Sequence, residues 1–288
     1  MIFHNYLKAG IIYLSMDITL EKPLLGGRLV LIAYNTKEQV ALPILEEAYE
    51  HGKELEKIFS IYSSTSELSR LNKKRSLNVS EDLLFVISKA LEYCKLTKGE
   101  YDISLGKKIL ARKKGEEINV SCSFKDISIS GNKIILLNED VLIDLGSIAK
   151  GFIVDKLVEF LKKNGVKSGL VNARGDLRVF GDSEQTIEIQ NPREKEKIIH
   201  SFILKNQAVA TSGDYNQFVE DYDKSHILNK KDLISITVLA DTTIEADTIA
   251  SVVFLLDLNS REEFLKKNKI KVLTVNKDLK IKKYNGFP

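Results

Sequence analysis

The sequence predicts an α+β fold, with mainly antiparallel sheets flanked by helices, in one domain over residues 1–288. Three observations predict it. Two long stretches, Thr36 to Ser60 and Ser80 to Leu96, repeat apolar residues at helical spacing. Short apolar or alternating runs double back through brief turns, as at Gly26-Gly27 and Ser130-Gly131-Asn132. No internal repeat, linker or low-complexity tract divides the chain.

In chain order, Gly10 to Leu20 reads as a strand and Arg28 to Tyr34 as its return. Thr36 to Ser60 is a long amphipathic helix on Ile44, Leu45, Ala48, Leu55, Ile58 and Phe59. Pro43 argues for a start later than Thr36, because proline is tolerated only near a first turn. Tyr62 to Asn72 reads as a polar loop. Ser80 caps the next helix, and the charged run Lys107 to Glu117 reads as a loop or insertion. Phe124 to Leu137 is a hairpin. Ser168 to Ala173, Gln185 to Gln190, Ile198 to Leu204, Ala208 to Ala210 and Leu233 to Ala240 read as strands. Val219 to Leu228 reads as a hairpin carrying His226. Thr243 to Leu256 is an apolar helix capped by Thr242 or Thr243. A short helix, Ser260 to Lys267, precedes two last strands, Ile270 to Val275 and Leu279 to Tyr284.

The most informative stretch is Asp144 to Asp155, DLGSIAKGFIVD. Strand-like runs, Ile134 to Leu137 and Val141 to Ile143, precede it. Helical spacing follows from Phe152 to Lys163. Ser147 is therefore the expected N-cap at a strand-to-helix junction. A helix N-terminus offers unpaired N–H groups and partial positive charge, which suit phosphate, and Lys150 adds a formal charge. Gly146, Ala149 and Gly151 would let a ligand approach the backbone. By itself, such a turn more often serves packing than binding.

The composition excludes some functions. The chain carries 43 Lys+Arg against 40 Asp+Glu, and a net charge of +3 without a basic excess argues against a nucleic-acid surface. No run approaches the ~20 apolar residues of a membrane span. Cys94 and Cys122 have no metal spacing; Cys94 fits a small core position. Asp247 and Ser251, one helical turn apart, offer a carboxylate and a hydroxyl to a single point, a donor pair that suits Mg²⁺. The alternative is that Asp247 answers the helix dipole.

Further motifs follow this stretch: VNARGD (Val171 to Asp176), TSGDY (Thr211 to Tyr215), SHIL (Ser225 to Leu228) and ADTIAS (Ala246 to Ser251). FSIYSSTSELSRLN (Phe59 to Asn72) and GEYD (Gly99 to Asp102) precede it. In this order, from about Met16 to about Leu256, the chain resembles the FAD:protein FMN transferase, or ApbE, family. The resemblance implies an ApbE-like domain and an Mg²⁺-dependent phosphotransfer. FAD is the substrate, FMN passes to a Thr or Ser hydroxyl of a partner flavoprotein, and AMP leaves. Carried over residue by residue, Asp247, Ser251 and the carbonyl of Ala149 hold Mg²⁺. Asp247 thereby joins His226, the candidate general base, in the catalytic set. Met16, Tyr101, Ser147, Ala149, Lys150, Asp155, Asp176, Ser212 and Gly213 would bind the flavin nucleotide. Tyr101 would stack on it or pack in the core, and Met16 is either a contact or a core residue. Glu67 and Asn72 would brace the site, with Tyr62 near it.

The chain departs from the family pattern in three places. Only Met16 matches the usual Met-Gly-Thr of the first strand. Arg174 replaces a glycine before Asp176, as an added phosphate contact or a changed pocket. After His226 the run is Ile-Leu-Asn229-Lys-Lys, without the family's Asp-Pro and Thr-Gly. The altered loop leaves two alternatives open: a non-catalytic FAD-binding protein, or an FAD hydrolase giving FMN and AMP. Many relatives are exported lipoproteins. With no signal-type start and no nearby cysteine, this sequence is expected to be cytoplasmic.

Overall fold

The structure, a computed structural model, describes residues 17–194, 196–214 and 232–288. β1 (Ile18–Leu24) and β2 (Gly27–Ala33) form a hairpin closed at the Leu24–Gly27 pair. β1 lies farther along the chain than the Gly10 to Leu20 expectation, whose residues 10–16 lie outside the described ones.

α1 (Glu38–Phe59) buries Ala41, Leu45, Ala48, Gly52, Leu55 and Phe59 along one stripe. It starts at Glu38, later than Thr36 as expected, and continues unbroken through Pro43 in its second turn. Pro43 and Gln39 both face solvent, so the carbonyl that loses its hydrogen bond can turn to water. α2 (Glu67–Lys74) replaces the expected loop: Ser66 accepts the Ser69 N–H at 2.9 Å, and Leu68 and Leu71 are fully buried. β3 (Ser76–Asn78) leads to α3 (Glu81–Leu96), capped by Ser80 as expected. α4 (Gly106–Lys113) also replaces an expected loop. Its anchors are Ala111 and Gly106, too few to show as periodicity; a Cβ on Gly106 would meet the Leu142 carbonyl at 2.5 Å.

β4 (Ile127–Ser130) and β5 (Lys133–Leu136) form the expected hairpin, and with β3 a three-stranded sheet. Val141 to Ile143 is not a regular strand. Its backbone is instead satisfied piecemeal. The Ile143 N–H donates to Asn72 Oδ1 (2.8 Å), Asn72 Nδ2 donates to the Ile143 carbonyl (2.9 Å), and the Leu142 N–H reaches Ser104 O (3.0 Å).

After α5 (Ala149–Lys163), β6 (Gly169–Ala173) and β7 (Asp176–Phe180) form a hairpin through Arg174-Gly175. β8 (Glu184–Gln190) and β9 (Ile198–Lys205) form a separate two-stranded ribbon. β10 (Ala208–Gly213) and β11 (Leu233–Ala240) pair antiparallel. α6 (Thr243–Leu255), α7 (Leu258–Asn268), β12 (Lys271–Asn276) and β13 (Ile281–Tyr284) complete the chain.

Among the described residues, eight strands make the main sheet, in the order β1-β2-β6-β7-β10-β11-β12-β13, all antiparallel. β6 is buried throughout and β11 through Leu239, as expected for central strands covered on both faces. α1, α5 and α6 pack on one face of the sheet. The β8–β9 ribbon covers the other, setting Ile187, Ile189, Phe202 and Leu204 against Leu170, Val179 and Val209. Cys94 is buried and both cysteines are free. Among the described residues, no helix is long and apolar enough to cross a membrane.

Candidate active site

The first turn of α5 meets the side of α6. A Cβ on Gly151 would lie 2.4 Å from the Thr243 carbonyl and 2.7 Å from Ile244 Cα, so only glycine permits this approach. Gly151 therefore serves helix crossing and is not open to a ligand. Nor does Ser147 cap α5. The cap position is Ile148, without a side-chain bond, and the Ser147 hydroxyl pairs with the Tyr101 hydroxyl at 2.9 Å.

The helix terminus is answered from α6. Asp247 Oδ2 accepts the Gly151 N–H at 3.0 Å, and the Ala149 N–H bonds the Leu145 carbonyl at 2.9 Å. The expected phosphate perch is thus held by a carboxylate. Lys150 joins the same group. Its Nζ lies 3.1 and 3.2 Å from the two Asp247 oxygens and 2.5 Å from Asp176 Oδ2. Both acids are almost fully buried. Burial, then the nearby Asp247 charge, raises Asp176 to about 7, against the opposing pull of Lys150. Burial disfavours the Lys150 charge, but the two carboxylates outweigh it and hold the lysine above its ordinary range.

Ser251 lies one turn beyond Asp247 on α6. Its hydroxyl is 3.5 Å from that of Ser212 on β10. Thr211, Ser212 and Gly213 are the last residues of β10, with Gly213 paired to Ser235. The structure thus gathers Ala149, Lys150, Asp176, Ser212, Asp247 and Ser251 around the α5–α6 junction.

Other expected residues lie elsewhere. Asp155, proposed from sequence to bind nucleotide, caps α6: its carboxylate accepts the Thr243 and Ile244 N–H groups, both at 2.9 Å, and Arg178 at 2.8 Å. That replaces the expected cap by Thr242 or Thr243, neither of which bonds through its hydroxyl. Tyr101 is 3% exposed, so its ring packs in the core with no face open for stacking, and burial raises its hydroxyl far above the usual value. Asn72 braces Ile143, just before the Asp144 stretch. Glu67 instead holds Ser80, accepting its N–H and hydroxyl at 2.6 Å each. Tyr62 is exposed, with Lys113 Nζ 2.7 Å from its hydroxyl. Arg174 has a positive φ of 58° in the β6–β7 turn. A Cβ on Gly27 would lie 2.4 Å from Arg174 Cδ, so its stem lies across the β1–β2 turn. Met16 and His226, and the expected hairpin Val219 to Leu228, lie outside the described residues.

Sequence reasoning missed two arginines. Arg178 completes the Asp155 cap, and Arg193 pairs with Asp214; only the Asp of TSGDY hinted at the latter.

Among the described residues, no three His, Cys, Asp or Glu side chains form a metal cluster. A cation here would need hydroxyl, carbonyl or substrate oxygens as well, as Mg²⁺ commonly does. The group fits one. Above about pH 7, where Asp176 is ionised as well as Asp247, two buried carboxylates share one ammonium and leave negative charge in excess beside the Ser251 hydroxyl. Two hollows, of about 510 and 520 Å³, open elsewhere, against α3, α6 and α7 and at the start of α1; neither is lined by this cluster.

This fold is similar to that of solved flavin transferases. The ApbE protein from Thermotoga maritima superposes with a TM-score of 0.84 at 23% identity, covering 94% of this chain and 98% of that one. The flavin transferase ApbE from Vibrio cholerae gives 0.80 at 23% identity, over 95% and 98%. The ApbE family profile matches residues 25–274, and the chain belongs to that family. Among curated relatives, the FAD:protein FMN transferase of Haemophilus influenzae is 29% identical over 272 residues, 82% of this chain and 77% of that protein. That of Vibrio cholerae is 28% identical over 249 residues, 76% and 75%.

Proposed function

We propose that this protein transfers FMN from FAD to a Thr or Ser hydroxyl of a partner flavoprotein, with Mg²⁺, releasing AMP. The observation that carries the reading is the buried Lys150–Asp176–Asp247 group at the α5–α6 junction, in a chain whose curated relatives are named FAD:protein FMN transferases. Asp247, the Ser251 hydroxyl and the Ala149 carbonyl would hold Mg²⁺. Bound there, the ion would offset charge on the pyrophosphate and the departing AMP. Lys150 adds a fixed positive charge beside the same oxygens, where low dielectric strengthens it. Asp176 keeps that ammonium in place. The Ser212 hydroxyl, next to Ser251, orients the bound nucleotide. His226 takes the proton of the acceptor hydroxyl.

The test is to incubate the protein with FAD and Mg²⁺, with and without a flavoprotein carrying the acceptor Thr, and to measure AMP by chromatography and flavin on the washed target. Transfer gives AMP and flavinylated target together, both lost in EDTA. AMP without target would mean hydrolysis; FAD binding with no AMP would mean a carrier.

A further inference from the structure

β10 ends at Gly213, and the next residue, Asp214, is the only carboxylate in that part of the described chain with no exposed surface at all. Arg193 reaches it from the tip of the β8–β9 ribbon in a two-pronged pair, Nη1 to Oδ1 at 2.8 Å and Nη2 to Oδ2 at 3.1 Å. The tip is built to aim that arginine. Asn191, itself 9% exposed, accepts the Arg193 N–H at 2.9 Å and the Glu194 N–H at 3.3 Å, and its own N–H bonds the Lys197 carbonyl at 2.8 Å. Among the described residues, the ribbon makes no strand pairing with the main sheet; it rests on it through side chains. The ion pair is therefore a directional tie between ribbon and sheet, and it fastens at the residue after Ser212-Gly213.

A buried ion pair is a poor source of net stability, because desolvation offsets most of the attraction. A guanidinium fork on a carboxylate does fix position, since two parallel bonds set distance and angle together. The part whose position is fixed here is the end of β10. There Ser212 faces Ser251, and the Asp214 N–H completes the register by bonding the Ile234 carbonyl at 3.0 Å.

We propose that Arg193 is a positioning residue for the flavin nucleotide: through Asp214 it sets the Ser212–Gly213 end of β10 against α6. The proposal rests on the transferase reading above. Loss of the tie leaves the Lys150–Asp176–Asp247 group intact and loosens the edge that would hold the nucleotide. Binding of FAD then suffers more than turnover.

Four proteins test it: wild type, Arg193→Met, Arg193→Lys and the double variant Arg193→Met with Asp214→Asn. For each, the FAD dissociation constant is measured with Mg²⁺ by flavin fluorescence, KM and kcat by AMP release, and stability by thermal unfolding. Arg193→Met is expected to raise the FAD dissociation constant and KM about tenfold or more, with a smaller change in kcat. Arg193→Lys keeps the charge without the fork and is expected to fold normally and fall between the two. The double variant is expected to recover stability, because no buried charge is left unpaired, but not FAD affinity. A purely structural pair would let affinity return with stability, and that outcome overturns the proposal. If Arg193→Met does not fold, Arg193→Lys decides: affinity equal to wild type overturns it. A wild type that binds no FAD would instead overturn the transferase reading, and this proposal with it.

Discussion

Asp247 accepts from the Gly151 N–H and faces Lys150 with both oxygens, so one side chain joins the α5 terminus to the charge of the site. Replacing it with Asn keeps an oxygen for Gly151 and removes the charge. AMP release by Asp247→Asn should fall by about 10² to 10³, with unfolding temperature little changed; activity near wild type would remove Asp247 from the chemistry. Asp176 makes a separate prediction. Its folded pKa is raised from 3.8 to about 7, chiefly by burial. Between those values the native state holds a proton that the unfolded chain has released. The contribution of Asp176 to stability therefore falls as pH rises through that window and levels off above about 7. Thermal unfolding in EDTA from pH 4 to 8 should show this decline as a difference in slope between wild type and Asp176→Asn, which lacks the contribution. Equal slopes in the two proteins would refute the assignment.

At the scale of elements, the site depends on how closely α5 and α6 cross. Gly151 removes the steric barrier, and Asp155, one turn along α5, satisfies the first N–H groups of α6. Asp247 returns the favour from α6 to α5, so each helix caps the other. Gly151→Ala places a methyl on the Thr243 backbone, which cannot swing aside as a side chain can. It should cost about 3 kcal/mol or more and depress AMP release, because Asp247 moves with α6. Urea unfolding checks the first effect. A variant as stable as wild type would show that the helices stand farther apart than 2.4 Å from that methyl implies. Asp155→Ala should cost a similar amount, about 3 kcal/mol, by uncapping α6 and stranding Arg178.

On the scale of the whole molecule, the site draws on α5, α6, β7 and β10, which are far apart in sequence and meet only because the main sheet brings them to one end. A ligand held by all four should stabilise the fold as a unit. FAD with Mg²⁺ at about 100 times its dissociation constant should add about 2.7 kcal/mol. For a chain of this size that is a rise of about 5 °C or more in the unfolding midpoint. Either component alone should do much less. No added shift from the pair would argue against a joint site.

Much of this arrangement was legible in the sequence, because some signals are local. Apolar spacing marked α1, α3, α5 and α6, Ser80 announced its cap, and turn residues located the β4–β5 hairpin. Lys150, Asp176, Ser212, Asp247 and Ser251 stood out in the sequence as candidates, and the fold brings them together. What escaped were decisions between distant segments. Ser147 looks like a cap until Tyr101 takes its hydroxyl, and Asp155 looks like a ligand residue until α6 arrives above it. Val141 to Ile143 reads as strand, but Asn72 supplies the partner that a neighbouring strand would have given. α4 carries too little buried surface to leave a period, and nothing beside Arg193 in the chain points to Asp214. Side-chain patterns record which face of an element is buried. Which backbone N–H a carboxylate answers is decided only when the elements pack.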